Sequence, residues 1–173
     1  NLSIRQLQQA DFIHRLIAIL GETQLPASSL VLEITETLLM QHSDAVLATL
    51  QEIANLGVRL ALDDFGTGYC SLGYLKQFPL HILKVDRSFI AGVGEDADSA
   101  VISRAIIGLG QSLDLTVVAE GVEELKQLAF LEAEHCEYAQ GYLFSRPLSA
   151  IDLRRSFRND HCVDGLWQLA ASA

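Results

Sequence analysis

The sequence predicts an α/β fold built from parallel βα units, a (β/α)8 TIM-like barrel of which this chain supplies about five to six units. Apolar, β-branched runs alternate with amphipathic stretches at a repeat of roughly two to three dozen residues, which is typical of strands alternating with helices. Charged or amide side chains lie toward the carboxyl ends of nearly all predicted strands, where parallel barrels build their active sites. Closing such a barrel takes about eight strands, so we expect an N-terminally truncated portion of the domain, or one that a partner completes.

The first part of the chain predicts a helix, a strand and a second helix. Residues Ile4–Leu20 carry apolar side chains at a mostly helical spacing, and Gly21 is predicted to end that helix. Leu30–Glu36 is rich in β-branched and apolar residues and predicts a strand. A helix is expected from about Ser43 to Leu56, with Gly57 after its end.

The middle of the chain continues the alternation. The apolar and polar alternation of Val58–Asp63 predicts a buried strand. Ser71–Lys76 is expected to form a short helix, which Pro79 separates from a strand at His81–Asp86. An acidic loop then leads into a long amphipathic helix, Ser99–Leu113, and a strand, Leu115–Glu120.

The last part predicts one more βα unit and a tail. Val122–Glu134 reads as a helix rich in Glu and Leu, and Glu137–Leu143 as the following strand. Pro147 and Ser149 introduce a final helix to about Phe157. The weak apolar pattern beyond it indicates an extra helix or a disordered end, so we expect a domain over residues 1–158 and a tail over 159–173.

Composition limits the kind of partner. The chain has 173 residues, half of them hydrophobic, and a net charge of −10, which argues against a broad surface for DNA or RNA. An acidic protein can still act on a phosphate substrate if metal ions supply positive charge. The three cysteines are widely spaced and odd in number, which fits a reducing compartment. With no stretch long enough to span a bilayer, we expect a cytoplasmic domain, although the full-length protein can carry a membrane anchor elsewhere.

The segment from Asp63 to Tyr69 is the strongest local signal. Two adjacent carboxylates follow an apolar strand, and glycines beyond them allow a sharp turn. Neighbouring carboxylates repel each other unless a cation or proton lies between them, which suggests a divalent metal held by oxygen ligands. Taken alone, the pair is more typical of a helix N-cap plus a solvated loop acid than of a metal site.

Polar residues at the other strand ends favour the metal interpretation. They are Glu33, Asp63, Asp64, Lys84, Asp86 and Glu120, with Gln140 within the last strand. A purely structural sheet does not need them, because burying charged groups is costly unless they are paired or bound to metal. A simpler alternative for one of them remains open, since Lys84 can pair with Asp86 at the end of its strand.

With these residues the sequence closely resembles the EAL-domain phosphodiesterases, bacterial enzymes that hydrolyse cyclic di-GMP. The resemblance spans most of the chain and preserves the order and spacing of several motifs. The matching segments are Asn1–Ser3, Leu32–Glu36, Asp63–Tyr69, Leu83–Asp86, Ala119–Glu123 and Gln140–Tyr142. The family fold is an eight-stranded βα barrel, in keeping with the periodicity described above.

The resemblance implies a role for each matching residue. Asn1, Glu33 and Asp63 would bind one ion, and Asp63 would bridge to a second ion that Asp64 and Glu120 help to hold. Oxygen ligands of this kind suit a pair of Mg²⁺ or Mn²⁺ ions.

The remaining matches imply catalytic and supporting roles. Lys84 would orient and help activate the water between the metals, and Glu120, besides binding metal, would match the family's general base. Glu36 would hold the loop between Asp64 and Tyr69 in its working shape. Three further residues would support the site or contact the substrate: Asp86, Glu123 and Gln140. As an alternative, Glu123 can be an acid that interacts with a helix dipole.

The resemblance also implies the reaction and the partners. A two-metal mechanism would open one phosphodiester bond of cyclic di-GMP and release linear pGpG. Members commonly form homodimers through the face near the loop after Asp64, and a sensory or GGDEF domain is expected upstream.

Two departures from the family pattern stand out. The Glu-Ala-Leu motif, whose glutamate is a metal ligand, would precede Asn1, so we assign the activity to the intact domain. Cys70 replaces the serine usual in the family. Two other functions stay open: a cyclic di-GMP receptor without catalysis, and a regulatory dimerisation module.

Overall fold

The computed structural model describes residues 1–40, 44–66 and 75–158. These residues form two compact units. The first contains Asn1–Lys84 and Ser112–Leu115, and the second contains Val85–Gln111 and the described residues from Thr116 onward. The described strands are hydrogen-bonded in their order along the chain, and the division between the units falls within the third strand.

The first unit carries three strands with helices between them. Its elements are α1 Ile4–Leu7, α2 Phe12–Thr23, a 3-10 turn Ala27–Ser29, β1 Val31–Thr35, α3 Glu36–Met40, α4 Asp44–Asn55, β2 Arg59–Phe65 and β3 Ile82–Val85. The buried face of α4 presents Val46, Leu50 and Ile53, which are three and four residues apart, as an amphipathic helix requires. Burying each such side chain contributes about 1.5–3 kcal/mol, so packing holds this helix in place.

Strands β1 and β2 form a parallel ladder that fixes which residues lie side by side. Glu33 is opposite Ala61, and Thr35 is opposite Asp63. The ladder continues towards β3 through the main-chain N–H of His81, which donates to the carbonyl of Leu60 at 2.9 Å. Because parallel strands end at the same edge, the residues near these carboxyl ends are brought together.

The second unit carries two more strands and four helices among its described residues. They are α5 Arg87–Ala91, α6 Ala97–Ser112, β4 Thr116–Ala119, α7 Leu125–Ala133, β5 Tyr138–Ala139 and α8 Ala150–Arg158. Strands β4 and β5 are parallel, with Val118 opposite Tyr138. The core of this unit includes Ile90 and Val117, neither of which is exposed to solvent.

Most predicted elements are confirmed, with differences at their ends. The predicted helix Ile4–Leu20 is wrong as a single element, because it is divided between α1 and α2. Gly21 does not end α2, which runs on to Thr23 and ends at Gln24 in a left-handed conformation. A glycine inside a helix costs only about 1 kcal/mol, which the packing of the helix can outweigh.

Four further differences concern the strands and helices near the polar residues. The strand predicted to end at Asp63 continues to Phe65, so both carboxylates lie within β2. Helix α5 was not predicted at all. The helix predicted to start at Val122 begins at Leu125, and the strand predicted over Glu137–Leu143 is only two residues long, which leaves Gln140 just beyond it.

Some predictions fall outside the described residues. These are most of the short helix Ser71–Lys76, the cysteines Cys70 and Cys162, and the tail 159–173. Among the helices that the structure does describe, none has the length and apolar character needed to cross a membrane.

Candidate functional site

Two adjacent carboxylates occupy the carboxyl end of β2. Successive side chains in a strand normally point to opposite faces of the sheet. Asp64 departs from this alternation because its φ is 54°, a left-handed conformation that residues other than glycine adopt rarely and that Asp and Asn tolerate best. Carboxylate oxygens of Asp63 and Asp64 lie within 4.8 Å of each other. The backbone at Asp64 therefore allows both residues to serve one site.

Lys84 on β3 joins carboxylates from the two preceding strands. Its Nζ lies 2.8 Å from Glu33 Oε1 and 2.9 Å from Asp63 Oδ1. The side chain of Lys84 is 9% exposed and that of Asp63 is 14% exposed. Because a buried ammonium needs compensating partners, these ion pairs fix the positions of all three side chains.

Asp63 Oδ1 is a buried acceptor of the kind that binds cations. The atom is buried and, within the described part of the chain, accepts no hydrogen bond of good geometry, so its 2.9 Å ion pair with Lys84 is the contact that balances it. An ionised carboxylate is an acceptor of hydrogen bonds and of cations, and hard divalent cations prefer oxygen ligands. The donor set of Glu33, Asp63 and Asp64 therefore fits a divalent cation.

The first residues of the chain run beside β1. The main-chain N–H of Leu2 donates to the carbonyl of Glu33 at 2.7 Å, and the side chain of Leu2 is buried. This anchor keeps Asn1 near Glu33, with Asn1 itself exposed. The side-chain oxygen of an asparagine is another hard ligand, and the role of Asn1 as a metal ligand stays a prediction.

Glu36 restrains the turn that follows β2. It is the first residue of α3 and is 4% exposed. Its Oε2 accepts a hydrogen bond of 3.2 Å from the N–H of Gly66, where a φ of 97° turns the backbone. The described residues thus include the start of the loop that Glu36 is predicted to hold, and residues 67–74 lie outside them.

In the second unit, Glu120 and Gln140 are hydrogen-bonded to each other. The Nε2 of Gln140 donates to Glu120 Oε1 at 3.0 Å. The main-chain N–H of Glu120 donates to the carbonyl of Val85 at 3.1 Å, and that of Gln140 donates to Ala119 at 2.8 Å. Both residues directly follow their strands. The hydrogen bond from Gln140 fixes the position of one oxygen of the Glu120 carboxylate.

Two glycines allow the loops of this unit to approach closely. A Cβ on Gly141 would lie 2.7 Å from the carbonyl carbon of Val122 and closer still to the nitrogen and oxygen of that residue. A Cβ on Gly121, where φ is 69°, would collide with the Cβ of Arg87. Only glycine fits either position without a shift of the backbone, and these contacts hold the residues next to Glu120 and Gln140.

Asp86 does not pair with Lys84, so that alternative is wrong. The chain leaves the strand after Val85, and Asp86 becomes the N-cap of α5, where its Oδ1 accepts hydrogen bonds from the backbone and hydroxyl of Ser88. Burial alone would raise the pKa of Asp86, but the hydrogen bonds from Ser88 outweigh it and lower the pKa below its usual value. Asp86 therefore acts on its own loop.

Glu123 lies before a helix and not inside one. Its main-chain N–H donates to Gln127 Oε1 at 2.8 Å, and the N–H of Glu124 donates to the same oxygen at 3.0 Å. Gln127 is 3% exposed, and sequence reasoning missed it. The signal was present, because Glu124 and Gln127 have the three-residue spacing of a capping box.

Comparison with known proteins identifies the family of this chain. A model of the EAL domain matches residues 1–147. The cyclic di-GMP phosphodiesterase NbdA of Pseudomonas aeruginosa is 46% identical over 158 residues, which are 91% of this chain and 20% of that protein. The bifunctional diguanylate cyclase/cyclic di-GMP phosphodiesterase MucR of the same organism is 43% identical and covers 90% of this chain and 23% of its own. The chain spans about a fifth of the length of these relatives.

Solved structures agree with this assignment. A cyclic di-GMP complex of the phosphodiesterase PaMucR superposes with a TM-score of 0.83 at 43% identity, covering 88% of this chain and 62% of that one. A manganese and cyclic di-GMP complex of BlrP1 from Klebsiella pneumoniae has a TM-score of 0.76 at 31% identity, covering 82% and 36%. The predicted α/β class and the predicted resemblance are both confirmed. Since the family model matches most of its length, the chain belongs to the EAL domain family.

Proposed function

We propose that the protein carrying this chain hydrolyses cyclic di-GMP to linear pGpG and so lowers signalling by this messenger. The observation that carries the proposal is the buried network at the strand ends, in which Lys84 Nζ contacts Glu33 Oε1 and Asp63 Oδ1 at 2.8 and 2.9 Å. Relatives named cyclic di-GMP phosphodiesterases, nearly half identical to this chain, support the substrate class.

The residues proposed to hold a pair of Mg²⁺ or Mn²⁺ ions come from separate segments of the chain. Asn1, Glu33 and Asp63 would bind one ion, and Asp63, Asp64 and Glu120 the other. When bound, such ions lower the pKa of a water molecule and offset negative charge on the phosphate. A chain with a net charge of −10 needs this added positive charge to accept an anionic substrate.

The side chains themselves position the reactants. Lys84 would orient the attacking water and the phosphate. Glu120 would accept the proton of that water at a carboxylate oxygen as it attacks the phosphorus in line with the leaving oxygen. Gln140 supports this role because its Nε2 donates to Glu120 Oε1 at 3.0 Å and so helps to orient the carboxylate.

The supporting residues act through the backbone. Glu36 accepts the N–H of Gly66 at 3.2 Å and so would keep the turn after Asp64 in a conformation suited to binding. Asp86 caps α5, and Glu123 is held by Gln127 at 2.8 Å. We propose that Asp86 and Glu123 either contact the substrate or support the other residues of the site.

The proposal extends to the assembly and surroundings of the protein. We propose one domain over residues 1–158, a homodimer, and a sensory or GGDEF domain elsewhere in the chain. Relatives about five times longer than this chain leave room for such domains. The three widely spaced cysteines favour a reducing, cytoplasmic location.

The test measures pGpG released by the full-length protein at saturating Mg²⁺, with Asp63→Asn as the matched variant. We expect wild-type turnover to depend on Mg²⁺ and to fall by at least about a hundredfold in the variant, since Asp63 is shared by both proposed ions. Cyclic di-GMP binding without turnover in the wild type would indicate a receptor instead. If the protein binds neither cyclic di-GMP nor metal, a regulatory dimerisation module remains as its function.

A further inference from the structure

Lys84 contacts the same oxygens that the proposed function assigns to a cation. Its Nζ lies within hydrogen-bonding distance of Glu33 Oε1 and of Asp63 Oδ1, at 2.8 and 2.9 Å. Asp63 Oδ1 is buried and depends on this ion pair. An ammonium and a divalent cation both seek the lone pairs of these oxygens, so the two cannot use them independently.

Lys126 provides a comparison within the same chain. Its Nζ also joins two carboxylates, Glu95 at 2.7 Å and Glu124 at 3.0 Å, but the lysine side chain is 35% exposed and the glutamates are 71% and 54% exposed. Water screens such a surface cluster. At Lys84, with 9% of its side chain exposed, the positive charge acts on its surroundings with far less screening.

We infer that Lys84 is an internal counter-ion that competes with a divalent cation for Glu33 Oε1 and Asp63 Oδ1. Entry of the cation displaces the ammonium from these oxygens and makes it available to the phosphate of the substrate. Cation binding and the positioning of Lys84 are then one event, so the lysine meets the substrate only after the cation is loaded. The inference rests on the proposed function, because it concerns the ligands assigned there.

Competition has a measurable consequence for affinity. A unit positive charge close to a cation site weakens cation binding by well over tenfold, even at an effective dielectric constant of about 20. Removing the charge of Lys84 must therefore tighten cation binding. It must also leave Glu33 and Asp63 as uncompensated neighbours, which lowers the stability of the cation-free protein. A lysine that merely supports the fold would lower stability without tightening the binding of metal.

The experiment measures Mn²⁺ affinity from the electron paramagnetic resonance signal of free Mn²⁺, in the full-length protein and in Lys84→Met and Lys126→Met. We expect Lys84→Met to bind Mn²⁺ at least about tenfold more tightly than the wild type, and Lys126→Met to bind it as the wild type does. Thermal unfolding should show a lower Tm for Lys84→Met in chelator and a larger rise of Tm on adding Mn²⁺. Equal or weaker affinity in Lys84→Met would overturn the inference.

A second measurement needs no variant and so does not depend on Lys84→Met folding. Acylation of Lys84 by acetic anhydride, mapped by mass spectrometry in the wild type, should speed up when Mg²⁺ is saturating, while acylation of Lys126 stays constant. Unchanged acylation of Lys84 would contradict displacement. If the wild type hydrolyses cyclic di-GMP while Lys84→Met gains no affinity, the inference fails and the proposed function stands. If the wild type binds no Mn²⁺, both fail.

Discussion

One added methyl group at Gly141 should lower the free energy of unfolding substantially. Gly141 follows Gln140 directly, and its Cα faces the backbone of Val122. A Cβ there would lie 2.7 Å from the Val122 carbonyl carbon and closer to two other backbone atoms. Distances below 3.0 Å are essentially never seen for a real Cβ, and the atoms it meets belong to backbone that cannot rotate away. Gly141→Ala must therefore push apart the loops that follow β4 and β5.

The cost can be worked out from the bonds that join these loops. The N–H of Val122 donates to the carbonyl of Gln140, and that of Leu143 donates to the carbonyl of Val122, each at 3.0 Å. Losing both costs about 1 kcal/mol per bond, and the overpacking adds about 1–3 kcal/mol. We expect Gly141→Ala to lower the free energy of unfolding by about 3–5 kcal/mol, a large share of the stability of a typical domain.

The assay is equilibrium unfolding in urea, with Gly108→Ala as the matched control. Gly108 lies in α6, and a Cβ there would meet nothing within 4 Å. Alanine is the better helix former by about 1 kcal/mol, so the control should be as stable as the wild type or more so. A Gly141→Ala protein with the wild-type midpoint and slope would show that the loops adjust freely, and the reasoning would be refuted.

Three further predictions concern single side chains. Burial raises the pKa of the Cys136 thiol to about 11 from 9.0. Because the folded state disfavours the thiolate, the contribution of Cys136 to stability is complete below pH 9.0 and is lost as the pH rises towards 11. The urea midpoint of the wild type should therefore fall more steeply over that pH range than the midpoint of Cys136→Ala. Asp86→Ala should cost about 1 kcal/mol at neutral pH through loss of the N-cap. Since the pKa of Asp86 is lowered, the stability that its carboxylate contributes is lost as the pH falls through that lowered pKa. The difference in unfolding free energy between the wild type and Asp86→Ala, measured in urea, should therefore shrink as the pH falls. A constant difference would contradict the assignment of Asp86 as the N-cap. Glu36→Ala should lower the rate of pGpG release by about tenfold, since the Gly66 N–H loses its acceptor, whereas Glu36→Gln keeps an oxygen acceptor and should retain most of the rate; equal loss in both would mean that the charge matters and the hydrogen bond does not.

The alternation of strands and helices could be predicted because it depends on local patterns. The runs that became β1 and β3 were found to within about a residue or two. All four residues of β3 are buried, and β1 is rich in apolar and β-branched residues. The acids at the strand ends were found for a related reason. Glu33 and Asp63 interrupt runs that are mainly apolar, and an interruption of that kind needs a chemical explanation.

Other features depend on tertiary contacts and left little trace in the sequence. Lys84 and Asp86 are two residues apart, so they would share a face if the strand continued. The strand ends at Val85, and only the short Asp-x-Ser pattern to Ser88 indicated that a helix begins instead. The need for glycine at 141 could not be predicted either, because the atoms that exclude a side chain belong to Val122, nineteen positions earlier in the sequence.

The left-handed backbone at Asp64 bears on how a site of this kind can decay. Glycine, asparagine and aspartate accept such a φ more readily than most residues do, so the backbone conformation restricts which residues suit this position. Replacement of Asp64 by asparagine or glycine removes a charge but suits the local backbone, so selection for a stable fold does not act against it. A homologue can therefore lose activity at this position and keep its fold. A bulky or β-branched residue at this position would indicate a different kind of loss, in which the backbone conformation is strained as well.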